Sequence, residues 1–286
     1  MVSDFYNAST VLQGYEKIGC HAINVGQLDL SGGLPFLMKM KGGTEIPFIS
    51  ANLEDKETGA LLFDPYIIIE RNDLKYGVIG LTNLSDKSDS QVIQRDYLIE
   101  GDRYIDQLKN KVDFILLLVN SERPSYKKLH GYFPDADIIF TSGSTSLTRP
   151  SMQQVEKGPF VFSSGREGRY LNKVSLTMNL LNKPIINKSY LESRIKYLNR
   201  KLERFMDKYP NQNYKTVYRD QENILNIFEE SRNEVKRIEN ILVKKNNYLE
   251  FENIPMGSSI IDEKSMLDFI NDAITIRKKL KEVKKL

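Results

Sequence analysis

Sixteen of the seventeen glycines lie at or before Gly168, and only Gly257 follows. Glycine marks tight turns and close backbone approaches, so a chain that uses it this unevenly is turn-rich in its first part and helix-rich in its second. Charge changes at the same place: residues 1 to 180 hold 19 basic and 22 acidic side chains, residues 181 to 286 hold 22 and 16. The sequence therefore predicts two regions, an α/β domain over 1–180 and a helical region over 181–286. At 286 residues, 40% hydrophobic and 28% charged, the chain can bury a real core. A net charge of +3 is too small to imply nucleic acid as a partner.

The first region alternates helical patterns with short β-rich runs: Ala22–Val25, Pro47–Ser50, Tyr66–Glu70, Tyr76–Gly80, Phe114–Val119, Asp137–Phe140, Phe160–Phe162 and Lys173–Met178. Such alternation is the signature of an α/β fold. Ile115–Val119 is apolar on both faces, as a central strand covered on both sides must be. Asn72-Asp73 interrupts the run from Tyr66 to Leu81 and predicts a β-hairpin, because both residues tolerate the turn backbone. In the second region Leu191, Ile195, Leu198, Leu202 and Phe205 repeat at alternating spacings of four and three, and Ile224, Phe228, Ser231, Val235, Ile238 and Leu242 continue the rhythm. These are two amphipathic helices that pair as an antiparallel hairpin across the polar stretch around Pro210, followed by an extended stretch from Tyr248 to Pro255. A terminal helix over Lys264–Lys285 carries Met266, Phe269, Ala273, Ile276, Leu280 and Val283.

Two histidines, His21 and His130, and one cysteine, Cys20, exclude an internal disulfide and a Cys/His zinc site, and nearly exclude a two-metal centre built from imidazoles. Neither histidine has a Glu or a second His at ligand spacing, so both read as structural or surface residues. Cys20 beside His21 reads either as a reactive thiol or as a small hydrophobe at the start of a core strand, the second being the commoner use. No apolar stretch is long enough to span a bilayer. MVSDFYNAST has neither a basic nor an apolar leader segment, so the sequence as it stands predicts a cytoplasmic protein, or an exported one if its true start lies upstream.

Three segments offer groups that can meet an anion. Thr141-Ser142-Gly143-Ser144-Thr145-Ser146 follows a strand directly, where ligands bind in open α/β sheets; its hydroxyls, Ser142 and Thr145 among them, either face a ligand or close local bonds to the backbone. Gly165-Arg166-Glu167-Gly168-Arg169 presents Arg166 and Arg169 either to a phosphate or to solvent on a tight turn. The basic run from Arg277 to Leu286 reads as a patch for RNA or anionic lipid, or as the soluble end of a helix; it has no interleaved aromatic residues to stack bases.

The order of these pieces resembles a known family. Leu12 to Leu30 is similar to the helix, small-residue turn, strand and G-N-H-[DE]-F segment of the metallophosphatase domain of 5′-nucleotidases, within the calcineurin-like phosphoesterases. Ile46 to Leu53 resembles its P-x-[IL]-x-A-N strand and Lys75 to Thr82 its K-[IV]-G-[IV]-[IL]-G-[LV]-T strand. Val112 to Asn120 resembles D-x-[IV]-[IV]-x-L-x-H, Ala136 to Ser146 resembles D-[IL]-I-[IL]-x-G-H-[ST]-[HQ], and Gly165 to Leu171 the closing G-x-x-G-[KR]-Y-[LV] turn. The resemblance covers roughly residues 8 to 180 and implies a four-layer α/β/β/α metallophosphatase sandwich, its first strands missing from this chain, in which two mixed sheets pack face to face with helices outside. It also implies the chemistry of active relatives, a pair of manganese- or zinc-type divalent metals bridged by an aspartate and hydrolysing nucleotides or other phosphoesters.

Carried over position by position, that chemistry loses its residues. The asparagine ligand falls on Gln27, the catalytic histidine on Leu28, and its partner aspartate on Ser31, with Asp29 at the acidic position of the motif. The histidine ligand after the central strand falls on Asn120, and the two ligands of the G-H-x-[HQ] loop on Ser144 and Ser146. Neutral amide and hydroxyl oxygens hold zinc or manganese poorly, and leucine cannot donate to an oxyanion. The leading expectation is a degenerate member with no metal cofactor and no phosphoester hydrolysis. A second reading is an active hydrolase whose D-x-H and G-D motifs would precede residue 1. A third is an interaction module that binds a protein partner or self-associates through residues 186–286. A nucleotide or other phosphoester is the implied ligand class, with no nucleic acid and no membrane span expected.

Overall fold

The structure, a computed structural model, describes residues 2–84, 90–155, 157–180 and 183–283. Its contacts divide the chain into two compact units: residues 1–147, 154–169 and 256–286 form the first, residues 148–153 and 170–255 the second. The division differs from the one predicted at residue 180, because backbone pairing rather than glycine content decides where a segment belongs. No helix among the described residues is long and apolar enough to cross a membrane.

The first unit is a mixed α/β domain. In chain order it runs α1 (Val2–Lys17), β1 (Ile23–Asn24), a 3-10 turn (Gln27–Gly32), α2 (Leu34–Lys41), β2 (Phe48–Ile49), β3 (Leu53–Asp55), β4 (Tyr66–Arg71), β5 (Leu74–Thr82), β6 (Val92–Gln94), α3 (Tyr97–Leu108), β7 (Phe114–Asn120), α4 (Arg123–Tyr132), β8 (Ile138–Ser142) and β9 (Phe160–Ser163). Its main sheet has the order β4-β5-β7-β8-β9, antiparallel at β4-β5 and parallel elsewhere. Two short ladders accompany it, β1-β2 parallel and β3-β6 antiparallel. Asn72 and Asp73 turn the β4-β5 hairpin at φ 51° and 61°, the left-handed values such a turn requires.

Helix α3 starts where Asp96 accepts the Leu98 and Ile99 N–H groups, and it buries Tyr97, Gly101, Tyr104, Ile105 and Leu108 along one stripe. That stripe packs with Ile79, Leu81, Ile115, Leu117, Leu129, Phe133 and Ile139 into the main core. Val25, Leu30, Leu37, Phe48, Leu53 and Phe63 form a smaller one under the short ladders. Burial pushes the Asp137 carboxyl above the ordinary aspartate range, while the Ile115 N–H that it accepts at 2.8 Å pulls the other way. A carboxyl whose folded pKa is raised binds protons more readily folded than unfolded. Its ionisation therefore lowers stability as pH rises from the ordinary aspartate value through the raised one. Asp137→Asn is expected to gain stability relative to the native protein between about pH 3 and about pH 7 in denaturant titrations, and an unchanged difference at the two pH values would contradict this.

The terminal helix α8 (Lys264–Val283) also belongs to the first unit, where it packs on α1. Lys17 Nζ lies 5.2 Å above the Phe269 ring and Ala273 is buried. Ile276, expected on the apolar stripe, is instead exposed, as are Leu267, Ile270 and Ile274. The basic run that begins at Arg277 closes this helix, with residues 284–286 outside the described set.

The second unit contains β10 (Tyr170–Thr177), β11 (Ile185–Asn187), α5 (Lys188–Met206), the single turn α6 (Tyr214–Val217), α7 (Glu222–Leu242) and β12 (Asn247–Pro255). β12 lies between its partners, antiparallel to β10 and parallel to β11. Val174 stands opposite Phe251 and Leu176 opposite Leu249, cross-strand apolar pairs that hold β10 to β12 within this unit. Asn247 ties the unit together, its side chain accepting the Asn179 and Leu180 N–H groups and donating to the Leu180 and Lys183 carbonyls. α5 packs on α7: Arg194 holds Glu234 in a fork of 2.8 and 2.9 Å, and beyond it Phe205, Tyr214 and Tyr218 gather round Phe228. Residues 186–286 are thus shared between the two units and form no unit of their own.

Candidate functional site

The C-terminal ends of β1, β7 and β8, with the turns that follow them, supply Gln27, Asn120, Ser142, Ser144 and Ser146. Asn120 ends β7, and its Oδ1 accepts the Gln27 N–H at 3.1 Å while its Nδ2 donates to Ser142 Oγ at 2.9 Å. Three of the singled-out positions, spread over more than a hundred residues of chain, are therefore joined by direct hydrogen bonds. Two glycines make room for this amide. A Cβ on Gly26 would lie 2.8 Å from the Asn120 side chain, and one on Gly143, at φ +91°, would lie 2.8 Å from the Ser121 carbonyl and 3.3 Å from Asn120 Nδ2. Tyr126 Oη donates to the Ser142 carbonyl at 2.8 Å, tying the loop after β8 to α4. Neither the glycines nor Tyr126 was picked out from sequence, although both glycines flank positions that were.

The Thr141–Ser146 loop takes the local alternative. Ser144 Oγ accepts the Ser146 N–H at 3.1 Å, and Ser163 Oγ donates to the Ser146 carbonyl at 2.6 Å, while Thr145 is exposed. Behind it a polar girder holds the strand ends. Thr82 Oγ1 donates to the Val25 carbonyl, Asn52 exchanges bonds of 2.7 and 2.9 Å with the Thr82 backbone, and Asn24 Nδ2 donates to the Leu81 carbonyl at 3.0 Å. Asn24 Oδ1, Ser50 Oγ and Ser121 Oγ are buried there with no protein partner among the described residues.

Leu28, Asp29 and Ser31 lie apart from this network, on a groove of about 760 Å³ walled by α1 and α2. Leu28, where the resemblance asks for a catalytic histidine, is 84% exposed. The Asp29 residue meets solvent on its outer edge, but its carboxyl turns back to accept the Gly26 N–H at 2.7 Å; desolvation there pushes its pKa up against the pull of that bond. Arg166 and Arg169 both face Glu167, at 3.9 and 2.7 Å, on an exposed turn where Gly165, Glu167 and Gly168 all have positive φ. Cys20 is half-buried rather than buried, its thiol donating to the Ala22 carbonyl at 3.4 Å, and His21 is exposed.

A 5′-nucleotidase of Vibrio cholerae serotype O1 is 34% identical over 122 residues, which are 43% of this chain and 21% of that protein. Among solved structures, a putative 5′-nucleotidase of Staphylococcus aureus in complex with alpha-ketoglutarate superposes with a TM-score of 0.51 at 17% identity, over 59% of this chain and 36% of the other. The first unit contains part of a metallophosphatase domain of the 5′-nucleotidase family. The calcineurin-like phosphoesterase YfkN of Bacillus subtilis shares the fold of this metallophosphatase domain, with a TM-score of 0.52 at 19% identity over 63% of this chain and 65% of that one. The chain spans about a fifth of the length of the curated relatives of Vibrio that it matches. No family model matches it.

Metallophosphatase relatives use a pair of divalent metals, and the donor set at the strand ends of this domain does not fit one. Its amide and hydroxyl oxygens are neutral, the Asn120 oxygen is engaged by the Gln27 N–H, and the Ser144 oxygen by the Ser146 N–H. Among the described residues no three His, Cys, Asp or Glu side chains come together.

Proposed function

We propose that this chain is a metallophosphatase domain of nucleotidase lineage that no longer hydrolyses phosphoesters by the two-metal route. The observation that supports the reading is the Gln27–Asn120–Ser142 chain of hydrogen bonds. The side chain at one ligand position, Asn120, gives its oxygen to the Gln27 backbone N–H and its amide N–H to Ser142 Oγ, whereas a ligand set must aim its lone pairs at a common point. Imidazoles hold the metals and steady the phosphate in the two-metal route, and no histidine stands at Leu28, Asn120, Ser144 or Ser146. The ligand class it retains from this lineage is a nucleotide or another phosphoester. Purified protein given AMP or UMP with added manganese is expected to release phosphate no faster than a heat-denatured sample of the same preparation; release well above that control would sink the proposal.

The same network predicts a structural role for Asn120. Asn120→Ala leaves the Gln27 N–H without its acceptor and is expected to cost about 1–3 kcal/mol of unfolding free energy. Denaturant titration measures this, and a variant as stable as the native protein would remove Asn120 from the scaffold.

A further inference from the structure

The second unit carries a groove of about 660 Å³ along α5 that the proposed function does not use. Lys196, Arg200 and Arg204 stand four residues apart along one row of the helix, and Tyr197, Lys201 and Phe205 along the row beside it. No carboxylate lines the groove, and none of its four cations has an ion-pair partner among the described residues. The cationic row runs about 12 Å from Lys196 to Arg204, at about 1.5 Å of rise per residue. Tyr197 is 57% exposed, yet it is held from beneath: Arg194 Cζ lies 5.4 Å from its ring centre, and Glu234 fixes that guanidinium through both oxygens.

We propose that this groove binds single-stranded nucleic acid, the cationic row following the phosphates and the outer face of Tyr197 stacking a base. A row of cations on one helix face, at about 6 Å per step, suits a chain of phosphates rather than one compact anion. A flat aromatic ring fixed on one face and open on the other needs an unpaired base, which a duplex withholds. An acidic peptide would satisfy the charges and leave the ring without a function, and a bilayer is too flat to enter a groove. The interleaving of aromatic and basic residues that the C-terminal run lacks is present here, in the opposite direction to what the modest net charge of the whole chain predicts.

Fluorescence anisotropy of the full chain with a labelled twelve-nucleotide poly-uridine strand tests this, with added tripolyphosphate and with phosphatidylserine vesicles as the other arms. The native protein is expected to bind the strand with log affinity falling against log salt at a slope of about −2 to −3, as three to four phosphate contacts require. Lys196→Ala/Arg200→Ala/Arg204→Ala should flatten that slope by about 2 and weaken binding at least tenfold at low salt. Tyr197→Leu should weaken binding about tenfold and leave the slope unchanged. The remote triple Lys236→Ala/Lys278→Ala/Lys279→Ala should bind like the native protein, and all variants should keep its thermal midpoint, since the altered side chains are exposed. Undiminished binding by the groove triple, equal loss in the remote triple, displacement of the strand by tripolyphosphate at matched phosphate concentration, or capture of vesicles in preference to the strand would each overturn the assignment.

Discussion

Phe133→Ala is expected to lower the unfolding free energy by about 3–5 kcal/mol, the largest effect of any single truncation in the first unit. Phe133 follows α4 directly, is fully buried, and presses its ring edge against the space over Gly101 of α3, where a Cβ would lie 2.6 Å away. Leu129, Leu81 and Tyr104 complete its surroundings in the main core. Such tight packing leaves little freedom to collapse into the cavity that alanine creates, so the cost falls high in the range for an aromatic residue. The variant also reports on the site. α4 carries Tyr126, whose hydroxyl holds the Ser142 carbonyl, so loosening α4 is expected to speed amide exchange in the Thr141–Ser146 loop. Equilibrium unfolding that shows a loss under 1 kcal/mol would contradict this packing.

Gly80→Ala carries the second large penalty, about 3 kcal/mol, from crowding rather than from a cavity. Gly80 lies in β5, and an added Cβ would sit 2.8 Å from the Ile49 carbonyl and 2.6 Å from Asn24 Oδ1. The Asn24 side chain has little room to withdraw because its Nδ2 is committed to the Leu81 carbonyl, and the Ile49 carbonyl is backbone accepting the Val25 N–H. Gly101→Ala offers the informative comparison: its added methyl would meet only side chains, Phe133 and Leu81, whereas at Gly80 it meets a hydrogen-bonded backbone carbonyl as well. Chemical denaturation should therefore rank Gly80→Ala as the more damaging, and the reverse order would show that β5 can move away from β1 and β2.

The parts of the fold that depend on local chemistry were legible in the sequence. Asn72-Asp73 marks its hairpin because few residue pairs accept two successive left-handed backbones. Ile115–Val119 marks β7 as a central strand because it is apolar on both faces. Three-residue strands carry no such signal: Leu53–Asp55, Val92–Gln94 and Ile185–Asn187 are too short to show a period of two. Nor does a sequence say which strand another will join. The pairing of Lys173 with Glu252 and of Val174 with Phe251 draws β10 into the second unit and places the unit boundary before residue 180.

The site divides in the same way. Motif order located Gln27, Asn120, Ser142, Ser144 and Ser146, but it could not tell that Asn120 bonds to residues 93 and 22 positions away. That link depends on β7 lying beside β8, and on glycines at 26 and 143 leaving space for an amide. Leu28 and Ser31 share a motif with Gln27, yet the 3-10 turn carries them to the outer groove. Rotation along such a turn separates residues that a linear motif lists together.

We propose that the Gln27 N–H, the Asn120 amide and the Ser142 hydroxyl, bonded to one another, stand where relatives of this domain hold a metal pair. Elemental analysis of the purified full chain, incubated with manganese and zinc and then desalted, is expected to find no stoichiometric transition metal; two tightly held equivalents per chain would overturn the proposal.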